Sequence, residues 1–91
     1  MAIITRFDPE ILALQAITAI VADETLRARF LDLTGLQPDE LRQGIGRRAV
    51  QLAALDFVLQ HEPTVHALAA DIAVPPDSFG AAARALRGGG L

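Results

Sequence analysis

Two stretches of the chain, 38 residues apart, follow the same order of apolar residues and helix-ending signals. The segment from Phe30 to Leu41 is matched by the segment from Leu68 to Phe79, and a Pro-Asp pair occupies the same place in each. A repeat of this length usually corresponds to one supersecondary unit that buries its apolar face against a copy of itself. We therefore predict two similar units, the first over about residues 8–46 and the second over about residues 47–87.

Each unit contains three predicted helices, and all but the fourth begin where a short acceptor side chain or a proline suits the first helical turn. The predicted starts are Asp8, Asp23, Pro38, Arg47 or Arg48, Pro63 and Pro75. No stretch alternates with a period of two, so no strand is predicted. The predicted fold class is all-α: one compact domain over residues 1–91 with six helices and a flexible tail at 88–91. The first and fourth helices are apolar on nearly every face and are expected to be central.

Gly35 follows the second helix and suits the left-handed backbone of a Schellman closure, with Leu36 folding back. Ala73 stands at the matching place in the second unit. If the two turns are equivalent, Ala73 is also left-handed, at a cost of about 1–2 kcal/mol.

The amino-acid composition excludes most mechanisms of covalent catalysis. Lys, Cys and Tyr are absent and Ser78 is the only serine, so few nucleophiles are available. His61 and His66 are five residues apart with Pro63 between them, which does not fit the four-residue spacing of a zinc-protease helix. We therefore expect no catalytic residue, no cofactor and no metal.

The location expected from the sequence is the cytoplasm. Met1-Ala2-Ile3-Ile4 lacks the basic flank and long apolar region of a signal peptide. The longest apolar stretch, Ile11 to Ala22, is shorter than the roughly 20 residues that span a bilayer.

One candidate binding site is the segment Gly44-Ile45-Gly46-Arg47-Arg48. Flexible backbone amides beside two guanidinium groups suit a phosphate or carboxylate, and Arg42 extends the basic patch if the third helix folds back. The strand that precedes a dinucleotide loop or P-loop is missing. An ordinary interhelical loop with solvated arginines is the favoured interpretation.

Asp56 is the second candidate, because it lies within the very apolar stretch from Leu52 to Leu59. A carboxylate buried there without a partner would lower the stability of the fold. If Asp56 is buried, it is therefore interpreted as a recognition or proton-transfer group. The favoured interpretation is a narrow polar stripe facing solvent, with Gln60 four residues further on and Thr18 at the matching place in the first unit.

Several apolar segments together resemble a small family of bacterial proteins known only as a domain of unknown function. These segments are Ala13-Leu14-Gln15-Ala16, Phe30-Leu31, Thr34-Gly35-Leu36-Gln37-Pro38 and Leu55-Asp56-Phe57-Val58-Leu59. The resemblance extends over about residues 8–87 and implies the same all-α fold. The chain departs from the family at Ala73-Val74, which replaces a Gly-containing turn, and at the join over residues 44–46. The family implies no activity and no site residues.

The expected function is a non-enzymatic interaction module that binds a protein partner or a second copy through apolar helix faces left over from the core. The alternative is a weak DNA-binding regulator, because residues 27–43 and 67–86 both resemble helix-turn-helix pairs. A sequence-specific DNA-binding protein needs polar hydrogen-bond donors on its second helix to contact base edges, and residues 79–83 provide none. The net charge of −3 also disfavours binding to phosphates, so nucleic acid is not the expected partner.

Overall fold

The structure, a computed structural model, describes residues 8–88, which form six α-helices and no strand. The helices are α1 (Pro9–Ala22), α2 (Glu24–Thr34), α3 (Pro38–Gly44), α4 (Arg48–Leu59), α5 (Glu62–Ile72) and α6 (Asp77–Gly88). The predicted all-α, six-helix fold is confirmed. Residues 1–7 and 89–91 are outside the described part, so the expectations about the first four residues and the tail fall there, except that Gly88 ends α6.

Helix starts follow the local chemistry of the sequence. Asp8 caps α1, and its carboxylate accepts hydrogen bonds from the amides of Glu10 and Ile11 at 2.9 and 3.2 Å. Asp23 caps α2 in the same way by accepting from the amide of Leu26 at 3.0 Å. Both caps satisfy amides that have no partner inside the helix, which explains why these two helices begin where the sequence predicts.

The turns after α2 and α5 share a left-handed backbone. Gly35 has φ 73° and Ala73 has φ 65°, so the predicted left-handed conformation of Ala73 is confirmed. The two turns differ in their second hydrogen bond. The Val74 amide donates to the Ala69 carbonyl, as in a Schellman motif, whereas the Leu36 amide donates to the hydroxyl of Thr34. The Schellman closure expected at Gly35 is therefore replaced by a side-chain contact.

The core lies where α1, α4 and α6 pack together. As expected, α1 and α4 are central; α6 joins them by burying Phe79 and Leu86, together with two small alanines, Ala82 and Ala83. Alanines in this position let α6 lie close to both neighbours, and dense packing is what stabilises such a core. The small residues of α6 therefore serve the interior of the domain.

The two predicted units agree in helix order but not in the packing of their third helices. α6 lies in the core, whereas α3 packs least on the rest of the domain. Leu41 is the one large side chain that α3 buries. The similarity of the two units as a structural repeat therefore stays a prediction.

α2 and α4 are joined by an aromatic pair. The rings of Phe30 and Phe57 meet edge to face, with centroids 5.3 Å apart. Phe30 is fully buried, so this contact holds α2 against α4. No helix within residues 8–88 is long and apolar enough to cross a membrane.

Candidate functional site

One exposed side of α1 carries a row of residues that we call the α1 face: Ile11, Leu14, Thr18 and Val21. Their spacing of three and four residues places them on one side of the helix. The opposite side of α1 is in the core, through Leu12, Ala13, Ala16, Ile17 and Ile20. Ile11 is 54% exposed, Leu14 36% and Val21 37%, so three large aliphatic side chains remain accessible in one row.

Thr18 does not interrupt the apolar character of this face. Its hydroxyl donates to the Leu14 carbonyl one turn earlier, at 2.9 Å. The side chain therefore has a hydrogen-bond partner inside its own helix, and covering it with another apolar surface leaves no donor unsatisfied.

Two grooves border the α1 face. On one side a groove of about 470 Å³ lies between α1 and the end of α5, where Asp71 and Ile72 form the far wall. On the other side a groove of about 320 Å³ lies between α1, α2 and α3, and it is lined by Val21, Arg27, Leu31, Leu41, Arg42 and Ile45, among others. Thr18 borders both grooves, so the α1 face forms the ridge between them.

Charge is distributed unevenly over these grooves. Asp71 lines the first groove, on the α5 side of the α1 face. Arg27 and Arg42 line the second groove beside Val21, at the C-terminal end. Nη1 of Arg27 also donates to the Val21 carbonyl at 2.9 Å and so caps the last turn of α1. An acidic side chain thus lines the groove on the α5 side, and two basic side chains line the groove on the α3 side.

The predicted anion site, residues 44–48, lies at the junction between α3 and α4. Gly44 is the buried last residue of α3, and a Cβ there would lie 2.9 Å from Cγ2 of Val50. This glycine therefore permits the close approach of α3 to the first turn of α4. Gly46 has open space around it, Arg47 precedes α4, and Arg48 is its first residue; all three are exposed.

Arg42 belongs to the groove beside α1. Its Nη1 lies 3.5 Å from Oδ1 of Asp39, and both side chains are nearly four-fifths exposed. Ion pairs of this exposure contribute little to stability, because water solvates both groups well. The guanidinium is therefore accessible in the groove on the α3 side.

Gln51 is a structural residue that the sequence does not reveal. It is 2% exposed, and its Nε2 donates to the Ile45 carbonyl at 2.9 Å. This bond ties the α3–α4 loop to the first turn of α4. Oε1 of the same side chain has no hydrogen-bond partner among the described residues. Among its apolar neighbours in the sequence, Gln51 resembles an ordinary surface glutamine, so its burial is not predictable from the sequence.

Asp56 lies in the last turn of α4, eight residues beyond Arg48, and so about 12 Å along the helix from the predicted anion loop. Nη2 of Arg87 donates to both of its carboxylate oxygens, at 2.9 and 2.8 Å. The Asp56 side chain is 46% exposed, as the solvent-facing stripe predicts. Its partner comes from the last turn of α6, which no local signal in the sequence indicates. The contact joins α4 to α6.

A third cavity, of about 420 Å³, lies between α5 and α6 and is lined by Leu59, Glu62, Val65, His66, Pro76, Asp77, Gly80 and Arg84. His66 and Glu62 lie 3.4 Å apart and are well exposed. His61 precedes α5 and shares a 2.7 Å hydrogen bond with the Thr64 hydroxyl. Across residues 8–88, no three His, Cys, Asp or Glu side chains are grouped so that they could hold a metal ion.

These features define a six-helix all-α domain with an exposed row of aliphatic side chains on α1 between two grooves. The profile of the family described as "Protein of unknown function (DUF3572)" matches residues 6–89, and the chain belongs to this family. No curated protein and no solved structure gives a match to the chain.

Proposed function

We propose that the protein is a non-enzymatic interaction module that binds a protein partner along the α1 face. The observation that carries this proposal is the row of three exposed aliphatic side chains, Ile11, Leu14 and Val21, on a helix whose other side is in the core. Rows of apolar anchors spaced three and four residues apart are the usual contact surface between helices of different chains. The two bordering grooves provide space for the partner's side chains.

The energetics favour a contact at this face. Covering an exposed aliphatic side chain stabilises a complex by about 25 cal/mol for each Å² removed from water. Thr18 adds no desolvation cost for an unpaired hydroxyl, since that group already donates to Leu14. A partner therefore needs an apolar surface of matching length, about 15 Å from Ile11 to Val21. As a location we propose the cytoplasm, on the sequence expectation alone.

Site-specific photo-cross-linking in the native cell tests this proposal. A photoreactive residue replaces Thr18 at the centre of the α1 face, and a control carries it at Leu33, which is 65% exposed on α2. We expect discrete adducts from position 18 that are absent from position 33. Ile11→Glu should suppress these adducts while leaving the helix intact, because an acid is favourable in a first helical turn. Identical adducts at both positions, or none at position 18, would refute the proposal.

Weak DNA binding is the alternative function, and no observation favours it. The second helix of the later helix-turn-helix-like pair is α6, whose Phe79, Ala82, Ala83 and Leu86 are in the core. In the earlier pair, α3 carries Asp39 and Glu40 in its first turn, where they would repel phosphates. Fluorescence anisotropy with random duplexes should give a Kd of roughly 10⁻⁴–10⁻⁶ M or weaker at physiological salt. Nanomolar binding to a selected sequence would make DNA the primary ligand.

A further inference from the structure

We infer that the groove between α1, α2 and α3 is a binding site for a medium-chain fatty acid, whose carboxylate is held by Arg27. The groove has a volume of about 320 Å³, at the lower end of the range of small-molecule sites. It therefore suits one short chain rather than a helix. The inference goes beyond the proposed partner contact, although Thr18 and Val21 belong to both surfaces.

Most of the side chains that line this groove are apolar. They are Ile17, Val21, Leu31, Pro38, Leu41 and Ile45. Ile17 and Leu41 are buried in the core, and Leu31 packs against it. Val21 and Ile45 remain 37% and 40% exposed. Removing such aliphatic surface from water is favourable, so the groove favours an aliphatic chain as its occupant.

The charged groups of the groove determine the charge of the ligand. Arg27 and Arg42 line it, and no acidic side chain does. Arg42 already has an anionic partner in Asp39, 3.5 Å away. Arg27 is partly buried, and within residues 8–88 it has no carboxylate within 4 Å. Its positive charge is therefore uncompensated, and an anionic ligand group would provide the missing partner.

The guanidinium of Arg27 is held in place by the backbone of α1. Its Nη1 donates to the Val21 carbonyl at 2.9 Å, in the last turn of the helix. Nε and Nη2 make no hydrogen bond to the described part of the chain. These two nitrogens form the planar fork that binds a carboxylate through two parallel hydrogen bonds. Arg27 is thus positioned for a carboxylate before any ligand arrives.

The groove offers hydrogen-bond donors rather than acceptors. The Thr18 hydroxyl donates to the Leu14 carbonyl, and the Val21 carbonyl accepts from Arg27. No amide or carboxylate side chain lines the groove. A peptide segment or an amine would bury N–H groups there without acceptors, which is unfavourable. An alkyl chain that ends in a carboxylate carries no donor and leaves none unpaired.

Titration of the whole ¹⁵N-labelled chain with decanoate, followed by two-dimensional amide NMR, tests the inference. The amide signals of Val21, Leu31 and Ile45 should shift together, with a Kd on the order of 0.1–1 mM. Octanoate is shorter by two methylenes and should bind about tenfold more weakly. Decylammonium has the same chain length and the opposite charge, and it should leave these signals in place.

Two pairs of variants test the two parts of the site. Arg27→Gln should weaken decanoate binding at least about tenfold, because the charged fork is lost. Arg29→Gln makes the same change on α2, at a residue that lines a different pocket, and should leave the Kd within about twofold. Ile45→Asn retains Arg27 and should weaken binding about threefold to tenfold through the lost apolar contact. Its control is Leu33→Asn, since Leu33 is 65% exposed and lies outside the groove.

The amide spectra also show whether each variant is folded, and Ile45→Asn tests the groove even if Arg27→Gln loosens the end of α1. The inference is refuted if decanoate shifts none of the groove signals up to about 10 mM, or if decylammonium shifts them equally. Equal losses in Arg27→Gln and Arg29→Gln would refute the role of Arg27. Decyl phosphate that binds more than about tenfold tighter than decanoate would overturn the fatty acid as the ligand.

Discussion

Replacing Ala73 with glycine should stabilise the protein, which reverses the usual effect of glycine. Ala73 ends α5 with φ 65° and ψ 49°, a left-handed conformation that costs a residue with a Cβ about 1–2 kcal/mol. Glycine removes this strain but gives the unfolded chain about 0.4–1 kcal/mol of additional entropy. Because Ala73 is exposed, its methyl group contributes little packing. The expected net gain in the free energy of unfolding is about 0.5–1 kcal/mol.

Two further variants make this test specific. Gly35→Ala introduces the opposite change at the equivalent turn, where φ is 73° and no heavy atom lies within 4 Å of the added Cβ. The cost there is backbone strain, partly offset by the lower entropy of the unfolded chain, so a net loss of about 0.5–1 kcal/mol is expected. Ala85→Gly, at an exposed position in α6, should destabilise by about 1 kcal/mol, the ordinary cost of glycine in a helix.

Urea unfolding followed by far-UV circular dichroism measures these differences, and thermal unfolding should show shifts of about 2–8 °C for a domain of this size. The reasoning is refuted if Ala73→Gly destabilises the protein as much as Ala85→Gly does. It is also refuted if Gly35→Ala has no effect, because the strain calculation would then be wrong at a turn with the same backbone.

Three further predictions concern the contacts between helices. A double-mutant cycle on Asp56 and Arg87, which are about half exposed, should give a coupling energy of about 0.5–1 kcal/mol that falls in high salt. The same cycle on Asp39 and Arg42, which are more exposed, should give a coupling energy within error of zero. Equal coupling energies for the two pairs would contradict this prediction. Gln51→Glu should lower the free energy of unfolding by about 2–4 kcal/mol at neutral pH, because a buried carboxylate replaces an amide donor. Burial raises the pKa of that carboxyl group, so its protonated form can donate again and the loss should be smaller near pH 4; the same loss at both pH values would refute the role of the Nε2 bond. Amide hydrogen exchange should be slowest in α1 and α4 and clearly faster in α3, which packs least on the other helices, and equal protection of α3 and α4 would show otherwise.

The sequence by itself determined the helices and their ends. Asp8 and Asp23 begin helices because their carboxylates reach amides two or three residues away, and no distant contact is needed. The left-handed turn at Ala73 was also predictable, since its place after an apolar helix matches that of Gly35. Hydrogen bonds of this kind form within a few residues, so the local order of amino acids is sufficient to specify them.

Only the tertiary structure decided which residues are available for binding. α1 is apolar all round, and its sequence does not distinguish the buried Ile17 from the exposed Leu14, because that depends on which sides α2, α4, α5 and α6 cover. Asp56 acquires its partner from Arg87, 31 positions away, for the same reason. Gln51 resembles a surface residue in sequence but is buried, since the α3–α4 loop folds over it. Burial and charge pairing depend on neighbours far apart in the chain, so they are specified by the packing of the whole domain.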